Sequence, residues 1–278
     1  MLRRDGLEKN RVKDFTLMNE LITSETLENG VIILSINRPD ALNAINKKVL
    51  TELRAKLEAI SKDETVRVLV LRGAGDKSFI AGADIVEMKD MNRSDASDLS
   101  RLGHAVALLL EQMPKVTIAA VQGFALGGGT ELALACDFIL ASEKALFGLP
   151  EVSLGVIPGF GGTIRLARAI GPSKAKEMIF SGIKLKSNEA KEIGLIRTVY
   201  PQEGFFDLVK DTAQKIAKNS MLALVTAKKL MNEFQETSGT YPKIDAEIHQ
   251  FAFLFDGADQ KEGMLAFTEK RAPKFKGL

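Results

Sequence analysis

Two glutamates lie in strongly apolar stretches of this sequence, each beside a glycine-containing turn. Glu131 follows three consecutive glycines, and Glu151 follows the turn at residues 147–150. A carboxylate among Ala, Leu and Phe side chains is costly to bury unless it is paired, hydrogen-bonded or protonated. Two such carboxylates held close together would differ in proton affinity. One could then act as a general acid while the other acts as a general base.

The glycine turn at residues 127–129 offers a second chemical group. It opens an apolar helix, so backbone N–H groups at the helix N-terminus have no intrahelical acceptor and could stabilise an oxyanion. The structural alternative is a tight turn with Thr130 as the N-cap. The turn at residues 78–85 could supply a second N–H group and complete an oxyanion hole. That turn is equally typical of a plain strand-to-helix connection.

A third glycine-rich segment spans residues 158–163. It lacks both the Gly-x-Gly-x-x-Gly order of dinucleotide-binding turns and the Gly-Lys-Ser/Thr ending of a phosphate-binding loop. This excludes dinucleotide and nucleoside triphosphate chemistry at the segment. We interpret it as a structural turn that shapes the wall behind Glu151.

The composition narrows the classes of partner and chemistry. The 278 residues carry 38 basic and 36 acidic side chains, so the net charge of +2 gives no reason to expect nucleic acid or a membrane as a partner. The single cysteine, Cys136, excludes an intrachain disulfide and lies in an apolar run typical of a core. His104 and His249 have no metal-ligand spacing around them. We therefore expect no metal and a reducing compartment, with the cytoplasm favoured and an organelle matrix as the alternative.

Alternating strand and helix patterns predict an α/β layered domain. Residues 31–36 and 66–71 are β-branched apolar runs, and residues 46–60 between them have helical apolar spacing. Strand, turn, helix and strand follow one another again over residues 116–141.

After residue 201 the pattern predicts helices only. Their apolar faces must pack on the core, on one another or on another subunit, so oligomerisation and a self-contained helical subdomain both remain open. We assign residues 1–20 to a flexible extension, 21–204 to the core with the active site, and 205–278 to a helical region.

Five segments, in this order, resemble the crotonase (enoyl-CoA hydratase/isomerase) family, and the resemblance runs from about Leu27 to Phe275. The segments are residues 37–44, 79–85, 119–132, 147–151 and 155–159. The resemblance implies a fold of repeated β-β-α turns in a spiral, followed by a helical region through which family members form trimers paired into hexamers. It implies that residues 205–278 serve trimerisation and contact with the CoA adenosine.

The resemblance also implies specific roles. The N–H groups of Ala83 and Gly128 are similar to the oxyanion hole that polarises an acyl-CoA thioester carbonyl. Glu131 and Glu151 match the two glutamates of the enoyl-CoA hydratases. Such enzymes add water to a trans-2-enoyl-CoA to give the (3S)-3-hydroxyacyl-CoA, with no metal or redox cofactor. The implied CoA-binding residues are Ala41, Leu42, Ala81, Ala83, Asp84, Ile85, Val86, Phe251 and Lys270.

Two positions depart from the family pattern, and two other functions stay open. Leu149 and Ile164 stand where glutamine is frequent in hydratases, so each removes a polar group near the second glutamate.

The nearest rival activity is 3-enoyl to 2-enoyl-CoA isomerisation, which uses a single carboxylate. A non-catalytic acyl-CoA-binding or RNA-associated protein of the same fold is the other rival. Residues 88–102 are expected to form loops at the acyl end of the pocket, and the acyl chain length and pathway are not predicted.

Overall fold

A computed structural model describes residues 20–236 and 240–277, and it has two β-sheets surrounded by helices. The larger sheet has the strand order β1-β2-β3-β5-β7-β10, and the smaller sheet has the order β4-β6-β8-β9. The strands are β1 Ile22–Thr26, β2 Val31–Ile36, β3 Val68–Gly73, β4 Ser78–Ile80, β5 Val116–Val121, β6 Phe124–Leu126, β7 Phe138–Ser142, β8 Leu146–Gly148, β9 Lys184–Lys186 and β10 Thr198–Tyr200. The α/β prediction is confirmed.

The helices follow the strands in a regular order. They are α1 Lys47–Lys62, α2 Ile85–Met88, α3 Arg93–Gln112, α4 Gly128–Ala135, α5 Gly162–Ile170, α6 Pro172–Ser181, α7 Ser187–Glu192, α8 Phe205–Ala217, α9 Met221–Glu236, α10 Thr240–Phe253 and α11 Ala258–Thr268. The strand–helix–strand unit predicted for residues 31–71 is confirmed, with the second strand beginning at Val68.

From β3 to β8, consecutive strands alternate between the two sheets, which produces the predicted spiral of β-β-α turns. β3, β5 and β7 pair in parallel in the larger sheet, while β4, β6 and β8 pair in parallel in the smaller sheet. β3, β5 and β7 are thus each followed by a strand of the smaller sheet and then by helix or turn. β1 and β9 are antiparallel strands at the sheet edges. The carboxyl ends of β4, β6 and β8 therefore lie at one common edge.

Alternation of apolar residues along the strands gives the larger sheet two buried faces. Leu34 and Ile36 of β2 belong to a core that includes the buried side chains of α1 and α3. Val31 and Ile33 of the same strand face the other way and pack with α8 through Phe205 and other residues. The larger sheet is therefore a rigid layer between helices, and it supports the smaller sheet beside it.

The helices after β10 differ in how much apolar surface they leave exposed. α8 packs on the sheet, whereas α10, α11 and the turn between them expose large apolar side chains. These side chains are Ile244, Ile248, Phe251, Phe253, Phe255, Met264, Leu265 and Phe267. In the part of the chain that the structure describes, no helix is long and apolar enough to cross a membrane. Most of the predicted N-terminal extension, residues 1–19, lies outside the described residues.

Candidate active site

A cavity of about 560 Å³ opens at the carboxyl ends of β4, β6 and β8. This volume is typical of a small-molecule site. Ala83 follows β4, Gly128 follows β6, and Glu151 follows β8, and all three line the cavity together with Glu131 of α4. Its apolar lining includes Ile85, Met88, Leu99, Leu126 and Ile157. The three parallel strands thus bring together residues that are far apart in the sequence.

The N–H group of Ala83 is held in place by its neighbours. The Ile45 N–H donates to the Gly82 carbonyl oxygen at 2.8 Å, and the Asp84 N–H donates to the Ile45 carbonyl oxygen at 2.8 Å. These two bonds form a parallel bridge that fixes the backbone at Ala83. Its own N–H group donates to no acceptor within residues 20–236 and 240–277. A hydrogen-bond donor is therefore positioned at the cavity wall.

The N–H group of Gly128 is the second donor at this wall. α4 begins at Gly128 with Gly127 as its N-cap, so the prediction of Thr130 as a possible N-cap is wrong. The Thr130 hydroxyl instead lies 2.6 Å from the Ala125 carbonyl oxygen and 3.0 Å from that of Gly148, and so ties β6 to β8. As the first residue of the helix, Gly128 has an N–H group without an intrahelical acceptor.

Glu131 is almost completely buried and is held by backbone donors. The N–H groups of Phe160 and Gly162 both donate to its Oε1 atom at 2.7 Å, and only 1% of the residue is exposed. Burial raises the pKa of Glu131 above its ordinary value, and these N–H groups and the nearby Arg165 offset part of that rise. Both donors stabilise the ionised carboxylate, because an N–H group cannot accept a proton from a carboxylic acid. Glu131 is therefore oriented and favoured as a base.

Glu151 has a different environment. Its Oε2 atom is buried with no hydrogen-bond partner among the described residues. The pKa of Glu151 is raised to about 7, mainly by burial and to a smaller extent by the charge of Glu131, while its own backbone N–H group lowers it. The carboxyl group reaches the cavity past Gly127, where a Cβ atom would lie 2.8 Å from Glu151 Oε1 and where φ is +50°. Only glycine fits at this position.

The different surroundings of the two carboxyl groups therefore favour different protonation states near neutral pH. Because its pKa is raised to about 7, Glu151 can carry a proton near neutral pH, whereas the hydrogen bonds to Glu131 favour the ionised form of that side chain. A carboxylate and a carboxylic acid facing one apolar cavity can remove one proton and deliver another. The N–H groups of Ala83 and Gly128 can stabilise negative charge on an oxygen between them and the pair.

The glycine-rich segment at residues 158–163 serves a different glutamate from the one predicted. We expected it to shape the wall behind Glu151, but its Phe160 and Gly162 N–H groups bind Glu131. The reason is that α4 and α5 pack together, which the sequence spacing does not show. The expected loops at residues 88–102 are also corrected, because Leu99 and Ser100 line the cavity from helix α3.

The predicted CoA-binding residues divide into two groups. Ala81, Ala83 and Ile85 line the cavity. Four others lie outside its lining: Ala41, Leu42, Asp84 and Val86. Leu42 is nevertheless adjacent, because its carbonyl oxygen accepts from the Ala81 N–H at 3.1 Å, and Asp84 pairs with Arg38 at 3.0 Å.

Phe251 and Lys270 are not brought to the cavity within one chain. Phe251 lines a separate apolar cavity of about 270 Å³ among the C-terminal helices and contacts the ring of Phe255. Lys270 lies in the exposed turn after α11. Their contact with CoA stays a prediction.

The two departures from the family pattern lie at different depths. Leu149 is fully buried, and its side chain lies beside Gly162, whose N–H group binds Glu131. Ile164 is 53% exposed and lines the cavity. His104 lines the cavity, although its sequence context gave no reason to place it there, and Arg165 on α5 was not predicted to act near the site.

Comparison with known proteins shows the family of this chain. The sequence profile described as enoyl-CoA hydratase/isomerase matches residues 26–278. A crotonyl-CoA hydratase from Syntrophomonas wolfei is 44% identical over 248 residues, which cover 89% of this chain and 95% of that protein. A 2,3-dehydroadipyl-CoA hydratase from Escherichia coli is 40% identical, with 94% of this chain and 100% of that protein covered. The crystal structure of an enoyl-CoA hydratase from Bacillus anthracis superposes with a TM-score of 0.90 at 37% identity, covering 93% of this chain and 100% of that one. This chain therefore belongs to the enoyl-CoA hydratase/isomerase family.

Proposed function

We propose that this protein is an enoyl-CoA hydratase that adds water reversibly to a trans-2-enoyl-CoA and forms the (3S)-3-hydroxyacyl-CoA. The observation that carries the proposal is the pair of glutamates at one cavity, of which Glu131 accepts two backbone hydrogen bonds and Glu151 has a buried oxygen with no partner among the described residues. Hydration needs a base for the water and an acid for the α carbon, and the pair supplies one of each. The hydratases named among its relatives support this activity.

The proposed mechanism follows from the hydrogen bonds at the site. Glu131, ionised and fixed by two N–H groups, removes a proton from water as the water oxygen adds to the β carbon. Glu151 delivers its proton to the α carbon. The thioester oxygen gains negative charge during this step, and the Ala83 and Gly128 N–H groups stabilise it. Losing one such donor typically raises the barrier by about 3 kcal/mol.

The isomerase and binding alternatives make different predictions for products. An isomerase would convert 3-butenoyl-CoA to crotonyl-CoA with one carboxylate and would leave crotonyl-CoA unchanged. A non-catalytic protein would change neither substrate. We expect crotonyl-CoA to yield 3-hydroxybutyryl-CoA, detected by chromatography and mass spectrometry. Conversion of 3-butenoyl-CoA without hydration of crotonyl-CoA would reject the hydratase proposal in favour of the isomerase.

We also propose the assembly and setting of this enzyme. The exposed apolar side chains of α10 and α11 support a homotrimer or a hexamer of two trimers, with Phe251 and Lys270 reaching the CoA adenosine. The proposed reaction involves no change of oxidation state and needs no redox cofactor, and the glutamate pair and the two backbone N–H groups supply its base, acid and oxyanion contacts without a metal. We place the enzyme in the cytoplasm, with an organelle matrix as the alternative. Sedimentation of the purified protein tests the assembly, and a monomer at micromolar concentration would reject it.

A further inference from the structure

We propose that Arg165 is a positioning residue for the hydration reaction, because it holds the peptide between the two N–H groups that bind Glu131. This proposal deepens the proposed hydratase function and rests on it. Arg165 lies on α5, its side chain is 9% exposed, and it does not line the cavity that contains the glutamate pair. Its effect on the chemistry must therefore pass through other residues.

The first link is a hydrogen bond to the glycine-rich segment. Arg165 Nη1 donates to the Phe160 carbonyl oxygen at 3.0 Å. That carbonyl belongs to the peptide joining Phe160 to Gly161. The peptide before it carries the Phe160 N–H group, and the peptide after it carries the Gly162 N–H group. Because both of these N–H groups donate to Glu131 Oε1 at 2.7 Å, rotation of the middle peptide would misalign both donors.

The close packing of the guanidinium on this segment supports the link. A Cβ atom on Gly161 would lie 2.2 Å from Arg165 Nη1, and Gly161 has a φ of +105°. Only glycine accommodates both the conformation and the guanidinium at this position. The ring of Phe160 packs directly on the Gly103 and Gly128 backbones, so the same segment also borders the proposed oxyanion donor.

An ion pair fixes the direction of the guanidinium. Arg165 Nε and Nη2 donate to Glu111 Oε2 on α3, at 3.1 Å and 2.5 Å. A guanidinium held by a carboxylate at two nitrogens and by a carbonyl at the third has a single orientation, which lysine cannot reproduce with one ammonium group. The chain of contacts thus runs from Glu111 through Arg165 and the Phe160 peptide to Glu131.

The charge of Arg165 also acts on Glu131 directly. The titratable or charged groups facing Glu131 are Glu151, His104 on α3 and Arg165 on α5. Burial and Arg165 lower the pKa of His104, so its imidazole is neutral at pH 7. Arg165 is then the cation that favours ionised Glu131, and its removal raises the pKa of that carboxyl group.

The test compares Arg165→Gln with wild type on crotonyl-CoA over a range of pH. We expect kcat to fall about 10- to 100-fold, because a shift of about 1 Å in a catalytic group has an effect of this size. KM should stay within about threefold, since Arg165 lines no part of the glutamate cavity. The acidic limb of the kcat profile should move to higher pH. Arg165→Lys should restore the position of that limb better than it restores kcat.

Arg168→Gln is the matched control. It removes the same charge one turn further along α5, where Arg168 approaches the other Glu111 oxygen at 3.6 Å. We expect its kcat and acidic limb to stay close to those of wild type. A fall as large as that of Arg165→Gln would show a general charge effect and overturn the proposal. So would an Arg165→Gln enzyme with wild-type kcat and an unmoved acidic limb.

Two further results distinguish a failed positioning role from a failed function or a failed fold. An inactive wild type would reject the proposed function itself, whereas failure of the positioning role leaves an active wild type. If Arg165→Gln does not fold, Glu111→Gln tests the same chain of contacts with a side chain of nearly the same shape. We expect Glu111→Gln to lower kcat about fivefold at unchanged KM, with less effect than loss of Arg165 itself. An unchanged kcat in this folded variant would overturn the proposal.

Discussion

Replacing Glu151 with glutamine should make the protein more stable at pH 8 while it removes activity. Burial holds the pKa of Glu151 at about 7, above its ordinary value of 4.5. Between these two pH values the folded state binds more protons than the unfolded state, so the free energy of unfolding falls as pH rises. This decrease in the free energy of unfolding is absent at pH 4 and complete above about pH 8. Glutamine stays neutral throughout and avoids it.

The size of this gain follows from the pKa. A rise from 4.5 to about 7 corresponds to roughly 3 kcal/mol of unfolding free energy once the carboxyl group is fully ionised. Glu151 is only partly buried, and solvent screening reduces this to about 1.5 kcal/mol. Glutamine has nearly the same volume, so it leaves no cavity.

The assay is urea unfolding of wild type and Glu151→Gln at pH 4.5 and pH 8, at equal protein concentration because assembly affects stability. We expect the variant to match wild type at pH 4.5 and to exceed it by about 1.5 kcal/mol at pH 8. Glu131→Gln is a useful comparison, because its amide oxygen can still accept from the Phe160 N–H group. Equal stabilities at both pH values would refute the argument that Glu151 is ionised at a cost.

Two substitutions and one pH profile test other parts of the structure and the mechanism. Glu131→Ala removes the acceptor of two buried N–H groups and should destabilise the fold by about 3 kcal/mol more than Glu131→Gln in urea unfolding; equal stabilities would contradict the hydrogen bonds. Asn43→Ala removes the side-chain donor to the Ala74 carbonyl oxygen and one of two to that of Ser78, which keeps Gln122 Nε2, so we expect a loss of about 2 kcal/mol by the same measurement, and a loss below about 0.5 kcal/mol would be inconsistent with that role. Because hydration needs one proton on the glutamate pair, kcat/KM should fall as pH rises through about 7, where Glu151 loses its proton, and a flat profile from pH 6 to 9 would exclude it as the acid.

Sequence patterns predicted the layers of this fold well, because apolar periodicity directly reflects which faces are buried. The helix at residues 46–60 was predicted from its apolar spacing and begins at Lys47, with the Asn46 side chain accepting from the Val49 N–H. The pairing of the two glutamates at one cavity was also a prediction, and the structure places both there. It depended on the family resemblance for the way in which β6 and β8 lie side by side.

What the sequence did not predict are contacts between segments that pack only in three dimensions. The donors to Glu131 come from residues 160 and 162, and nothing in their spacing identifies which glutamate they bind. Arg165 could have been noticed as a cation three residues after a glycine pair. Its contact with Glu111 depends on the crossing of α3 and α5, which no local pattern encodes.

The most direct test of the central claim is the ultraviolet absorbance of the conjugated thioester in crotonyl-CoA after addition of wild type, Glu131→Gln or Glu151→Gln. The account predicts rapid loss of absorbance with wild type. It predicts rates about 100- to 10,000-fold lower with each variant, because each lacks one of the two proton-transfer groups. Wild-type rates in either variant, or no loss of absorbance with wild type on crotonyl-CoA and on a longer 2-enoyl-CoA, would contradict hydration by this glutamate pair.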